Sequence, residues 1–276
     1  MREVDLSKYQ VRTDLVADLI KEDYEFETKK QYKNITISNI TLTKEMEEEL
    51  ERKEGLYTTI SYNDITDKTN YKNLLDVLTQ ELKKVIEETG IKDDYSCMII
   101  GLGNEKSTAD ELGVTTAKKV TVTKHIYDLV GTLEEHFRVT TCLTPGVMGQ
   151  TGIETVEIIS SVVKQVKPDF IIAIDALASD SIDRLLKTIQ ITNTGINPGS
   201  GIGNNRKEIS NETLGIPVIA IGVPTVVEAS TIVNDTLNFM KKHFSYTIKN
   251  KNNRQNKLIE TSKINYLKDN NYKISK

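Results

Sequence analysis

The chain has 276 residues, 38% of them hydrophobic and 28% charged, which is enough for at least one substantial core and one or two domains at roughly 150 residues each. A mean hydropathy of −0.36 fits a soluble globular protein, and the longest nearly apolar stretch, Ile216 to Val227, holds two prolines and a glycine, short of the roughly 18 apolar residues of a membrane-spanning helix. Of the net charge of −4, residues 1–240 carry −12 and the end from Lys241 carries +8 (ten Lys/Arg, two Asp/Glu), so the acidic body excludes a general nucleic-acid binder and no direct nucleic-acid or membrane contact is expected.

The N-terminus, MREVDLSKYQ, is charged and lacks an apolar h-region, so no secretory signal is expected. Residues 1–70 are charged and interrupted. Two alternating segments there, Asn34–Thr43 and Leu56–Tyr62, read as half-buried strands of a small peripheral extension. From about residue 72, Leu74, Leu75, Leu78, Leu82, Val85 and Ile86 recur at helical spacing, giving an amphipathic helix that ends at Gly90.

Short apolar runs then alternate with helices. Cys97–Leu102, Val139–Leu143, Phe170–Ile174, Thr188–Ile191 and Val218–Ile221 read as strands, most of them apolar on both faces, as in a covered and mainly parallel sheet. Thr151–Val166 reads as one helix with a Thr151/Glu154 capping box and an apolar stripe from Ile153 to Val166. Thr225 and Glu228 repeat that signature before a helix running to about Met240. The remaining end, rich in Asn and Lys, reads as a solvated, partly disordered tail. The fold class that follows is α/β: an open, mostly parallel twisted sheet with helices on both faces, plus the N-terminal strand-containing extension. Ligands in such sheets bind beyond the carboxyl ends of the strands.

Cys97 and Cys142 are the only cysteines, both in strand-like runs, and they read as small buried side chains, not a disulfide framework. With three histidines in all (His125, His136, His243) a multi-histidine metal centre is not expected, and no metal or other cofactor is called for. Gly101-Leu-Gly103-Asn104 starts like a dinucleotide fingerprint, but Lys106 stands where the third glycine belongs. The glycines still permit a tight turn that delivers Ser107-Thr108-Ala109-Asp110 to the top edge of the sheet, with Asp110 near a helix start. Phe170-Ile-Ile-Ala-Ile174 runs directly into Asp175, and a carboxylate at the end of a buried strand must find a partner; capping the following turn or helix would explain that residue equally well. Two neighbouring carboxylates cannot both ionise cheaply, so Asp110 and Asp175, if brought together, suit amide hydrolysis: one holds a proton while the other polarises a water.

Two glycine-rich loops remain. Pro198–Lys207 lacks a P-loop ending, and its Arg206/Lys207 pair suits a loop that folds over an acidic substrate group, or a mobile surface loop with no role. Pro145–Gln150 feeds a helix and could orient a substrate carbonyl through its N–H groups. No G-x-S-x-G elbow occurs, which disfavours a serine triad.

The blocks GLGN with STADELG, TPGVMGQTGIET, KPDFIIAIDALAS, TGINPGSGIGNNRKEIS and ETLGIPVIAIGVPTVVEA, in that order, resemble the germination protease (spore endopeptidase, A25-type) family, which is distantly related to hydrogenase-maturation endopeptidases; the likeness runs from DLSKYQVRTDLV to about residue 240. The resemblance implies a cytoplasmic, spore-core, homotetrameric α/β endopeptidase made as a self-processing precursor. It would cut small acid-soluble spore proteins in germination, after Glu or Asp and before a hydrophobic residue. The family's essential aspartates fall on Asp110 and Asp175, and precursor cleavage falls between Asp14 and Leu15. Residues 1–14 would then be a propeptide, 15–70 the N-terminal extension, 71–240 the α/β peptidase domain and 241–276 the basic tail. Three departures stand out: Val16 where alanine is usual, a loop at Thr108–Val114 without the family's two prolines, and the basic tail in place of a longer C-terminal region. Two other readings stay open, a metal-dependent processing peptidase of hydrogenase-maturation type and a non-catalytic spore protein that binds partners.

Overall fold

The computed structural model describes residues 13–20, 27–198 and 207–252, in two compact units, residues 1–228 and 229–276. The first opens with a single helical turn, α1 (Val16–Leu19), followed by β1 (Glu27–Tyr32), β2 (Ile35–Leu42), α2 (Lys44–Leu50), β3 (Gly55–Ser61) and α3 (Lys68–Glu88). There follow β4 (Cys97–Gly101), α4 (Leu112–Ala117), α5 (Lys124–Val130), β5 (Thr140–Leu143), α6 (Met148–Thr151), α7 (Thr155–Val166), β6 (Phe170–Ser179), β7 (Thr188–Thr192), α8 (Asn211–Leu214) and β8 (Val218–Val227).

The eight strands of the described residues form one sheet in the order β1-β2-β3-β7-β8-β6-β4-β5. The sheet is open and α/β as expected, but it is mixed and not mostly parallel, with three parallel pairings against four antiparallel ones, because the N-terminal strands and β7 join it antiparallel. Its parallel pairs are β5/β4, β4/β6 and β6/β8. The strands of the N-terminal extension continue the same sheet through antiparallel pairing of β3 with β7, so the extension is built into the sheet and not set beside it. Its outer strand, β1, has no apolar alternation (ETKKQY) and five of its six residues are exposed; hydrogen bonding to β2 alone makes it a strand, which no hydrophobic pattern announces.

Alternation decides which helix covers which face. Ile99, Ile172, Ile191 and Ile219 point to the face packed by Leu74, Val77 and Val85 of α3. Met98, Ile100, Ile171, Ala173 and Val218 point to the other, packed by Val156, Ile159 and Val163 of α7. Each buried Ile or Val contributes about 1.5–3 kcal/mol. On the α7 face but over the antiparallel block, Val16 of α1 and Met46 of α2 bury Ile40, Leu42 and Tyr57. α3 starts where the Asp67 carboxylate accepts the N–H groups of Thr69 and Asn70, both at 2.9 Å, and stops before Gly90, whose φ of +76° suits glycine.

Three further expectations are corrected. The helix over 151–166 is broken: α6 closes at Gly152 in the left-handed region, and α7 begins after Glu154. The Thr151 hydroxyl is engaged with Val147 O, Ile153 O and Ile153 N instead of capping α7, and Ile153 is exposed. Thr225 caps nothing, because β8 runs on to Val227. β6 continues five residues beyond Ile174 to Ser179, pairing with β8 throughout.

The second unit is the helix α9 (Ala229–Asn252), which carries helical structure twelve residues beyond Met240 into the basic stretch. No helix among the described residues is long and apolar enough to cross a membrane.

Candidate active site

β4 stops at Gly101, opposite Ile174 of β6, while β6 runs on. Asp175 is therefore the first β6 residue with no strand partner on the β4 side, and on its other side it pairs with Gly222 of β8. It belongs to the α7 face by alternation with Ile171 and Ala173, and it is only 5% exposed. The N–H of Ala176 donates to its Oδ1 at 2.9 Å. So Asp175 lies inside a strand, at the step where the neighbouring strand ends, and not past the strand terminus.

Asp110 arrives from the β4–α4 loop. The Leu102 N–H donates to Ile174 O at 2.9 Å, after which the chain turns sharply at Gly103, with φ +105°. A Cβ there would meet Asp110 O at 2.0 Å, so only glycine allows the loop to fold back this closely. The Asn104 N–H donates to that same oxygen at 2.9 Å, and the Asp110 N–H donates to Ser107 O at 2.8 Å. From the far side the Thr225 hydroxyl of β8 donates to Ala109 O at 2.6 Å. At Gly113 of α4 a Cβ would meet Ile174 O at 2.2 Å, which lets α4 rest directly on β6.

These constraints bring Asp110 and Asp175 to one cleft of about 300 Å³, which Asp14, Gly146, Val147 and Thr225 also line. Burial pushes the Asp175 carboxyl up to about 8; the Ala176 N–H opposes this, and the negative charges of Asp110 and Asp14 add to it. At neutral pH Asp175 thus carries its proton, while the half-buried Asp110 stands at the more open side of the cleft.

The third aspartate belongs to the N-terminal segment, which lies on the sheet face. The Asp14 N–H donates to Ala178 O at 2.9 Å, and the Ala178 N–H donates to Asp14 Oδ2 at 2.8 Å. The next two residues, Leu15 and Val16, have no exposed surface. Arg52 donates to Thr13 O, and the Asp18 carboxylate holds the far side, paired with the Arg184 Nε at 2.5 Å and accepting the Ser179 hydroxyl at 3.0 Å. The side chain of Gln190 on β7 bridges the segment: its Nε2 donates to Asp14 O at 3.3 Å, and its Oε1 accepts the Val16 N–H at 2.9 Å. Sequence reasoning passed over Gln190 here and took Thr225 for a helix cap. The signal for Gln190 was a lone amide between Ile189 and Ile191 in a buried strand.

The remaining candidates fall elsewhere. Lys207 faces Glu157 at 3.4 Å on the surface, and Arg206 lies outside the described residues. The Pro145–Gln150 loop does border the cleft, through Gly146 and Val147. His125 is exposed on α5, and among the described residues no group of three or more His, Cys, Asp or Glu side chains is arranged to hold a metal ion. Cys97 is buried in β4 with its thiol pushed up to about 12 by burial, which makes it inert packing.

A family model described as germination protease matches residues 9–272. The chain belongs to the germination protease family. It is a peptidase, 44% identical over 265 residues to the germination protease of Priestia megaterium (90% of this chain, 72% of that one). It is 43% identical over 270 residues to that of Bacillus mycoides (93% and 74%) and 42% identical over 266 residues to that of Bacillus pumilus (90% and 72%). A crystal structure of a nickel–iron hydrogenase maturation protease from Thermococcus kodakarensis is similar at 19% identity and a TM-score of 0.33, covering 53% of this chain and 81% of that one, too slight a likeness to bear on the site of this peptidase.

Proposed function

We propose that this peptidase is an endopeptidase of spore germination that cuts small acid-soluble spore proteins after Glu or Asp and before a hydrophobic residue, using Asp110 and Asp175 as an acid–base pair. The observation that carries the reading is the shared cleft: a buried carboxyl with its pKa raised to about 8 next to a second, more open one. In the proposed reaction Asp110 takes a proton from water as the oxygen attacks the scissile carbonyl carbon, and Asp175 gives its proton to the carbonyl oxygen. Collapse of the tetrahedral intermediate breaks the C–N bond, the nitrogen takes the proton from Asp110, and the hydroxyl proton returns to Asp175. Both carboxyls end as they began.

The chain is further proposed to be a zymogen that cleaves itself between Asp14 and Leu15, with residues 1–14 as propeptide. Support comes from Asp14, an acidic residue before a hydrophobic one, lining the same cleft as the two proposed catalytic carboxyls. A segment seated there keeps other peptides out until it is cut. A homotetramer in the spore core, with spore proteins as substrates, completes the proposal.

The test is cleavage of a Glu-hydrophobic or Asp-hydrophobic peptide, and of a spore protein followed by mass spectrometry. The parent enzyme cuts and Asp110→Asn and Asp175→Asn do not; parental rates in both variants overturn the reading. Loss of activity in excess chelator supports the metal-dependent alternative, and no cleavage by any form supports the non-catalytic one. A chain that begins at Leu15 should be more active than the full chain, and equal activity contradicts autoinhibition.

A further inference from the structure

Register puts Gln190, Gly222 and Asp175 in one row across β7, β8 and β6, since Gly222 pairs with both of the others. Residues opposite one another in neighbouring strands share a face. Gln190 and Asp175 therefore stand on the same side of the sheet, about 10 Å apart at two interstrand spacings. The residue between them is a glycine, and the Leu177 side chain folds over it, its Cδ1 2.4 Å from where a Cβ would stand. With Leu177 lying over Gly222, the Asp175 carboxyl borders the cleft on one side of that side chain and the Gln190 amide borders a second cavity on the other.

Asp14 borders both cavities. Asp14 is tied to Ala178 on the Asp175 side by two hydrogen bonds, and its carbonyl oxygen accepts from the Gln190 Nε2 on the other. Gln190 is 6% exposed, and a buried amide with both ends engaged is held in a single orientation. Its two hydrogen bonds fall on either side of the Asp14–Leu15 bond: one on the carbonyl of that bond, one on the N–H of Val16. A donor already aimed at a carbonyl oxygen strengthens as that oxygen becomes negative, which is how side-chain amides assist acyl transfer elsewhere.

We propose that Gln190 is a catalytic residue for self-cleavage, gripping the carbonyl of the Asp14–Leu15 bond and stabilising the negative charge that develops on its oxygen. The proposal rests on the reading that this bond is cut by the Asp110/Asp175 pair, and it adds a third group opposite Asp175. The second bond, to Val16, fixes which peptide unit is presented: a shift of one residue along the segment would leave the amide facing the wrong carbonyl.

The test uses the full chain and follows loss of residues 1–14 by intact mass. Gln190→Glu keeps the length and the acceptor for Val16 but replaces the donor. Processing by Q190E should fall by about 100-fold or more relative to the parent, and the ratio to the parent should recover toward low pH, where the introduced carboxyl carries a proton that it can donate. Gln190→Met removes the donor without burying a charge; it should be equally slow with no recovery, and it answers the question should Q190E not fold. Parental rates in both variants, or a slow Q190E whose ratio stays flat with pH, overturn the proposal while the aspartate reading stands. Parental processing in D110N and D175N overturns that reading instead, and a parent chain that never loses residues 1–14 overturns both.

Discussion

Strands β6, β7 and β8 have two very different faces. Towards α3 they present Ile172, Ile174, Ile189, Ile191, Ile219 and Ile221, a continuous apolar layer. On the other face, one residue along each strand, they present Asp175, Gln190 and Gly222. The contrast shows how a buried carboxyl is tolerated: the α3 face is apolar along the strands and the other face is packed by α7 as far as Ala173 and Val218, and this packing holds the polar, partly desolvated groups that follow on that face. It also shows why the chemistry clusters. Strand pairing carries Asp175 and Gln190 into one row although they are remote from Asp110 and Asp14 in sequence.

Substitutions on the two faces should separate cleanly. On the polar face, Asp175→Asn and Asp110→Asn should lower peptide cleavage by about 10²–10⁴-fold with the fold retained by circular dichroism; unchanged rates would dissolve the distinction. On the apolar face, Ile191→Ala should destabilise the protein by about 2–5 kcal/mol in denaturant titration, while the pH profile of cleavage by the folded fraction stays that of the parent.

The next effect is in the pH dependence of stability. The Asp175 carboxyl has an ordinary value of 3.8 and is raised to about 8 in the folded chain. Between those values the folded chain holds a proton that the unfolded chain has released. This contribution to stability is fully present below the lower value and is lost as pH rises through the upper one. Asp175→Asn should flatten that slope in urea titrations across the interval, whereas Ile191→Ala should shift the whole curve down and keep its shape. Cleavage should decline in the same direction, as Asp175 loses its proton above about 8. The smallest effect is expected at Thr225→Val. It removes one hydroxyl bond to Ala109 O, worth about 0.5–1.5 kcal/mol, and loosens the Asp110 loop, which should appear as a several-fold loss of cleavage rate with little change in melting temperature.

Much of this was legible from residues alone. Strong local patterns mapped onto real elements: the Leu/Val spacing onto α3, the apolar runs onto β4 to β8, and the Gly101–Gly103 turn onto the loop that carries Asp110. Family motifs pointed to the same two aspartates. Local signals failed where long-range pairing overrode them. Thr225 resembles a helix cap, yet the β6/β8 ladder extends past it and turns its hydroxyl to the Asp110 loop. Asp175 resembles a strand-end residue for the same reason.

What the chain's order of residues determined by itself is the repertoire: which segments alternate, which turn, and which acids stand beside buried strands, because periodicity and glycine placement act over a few residues. Only the folded molecule decided which of those groups meet. Strand order and register depend on pairing between segments far apart, and they alone place Gln190 in one row with Asp175, and the charged strand β1 at the edge of the sheet.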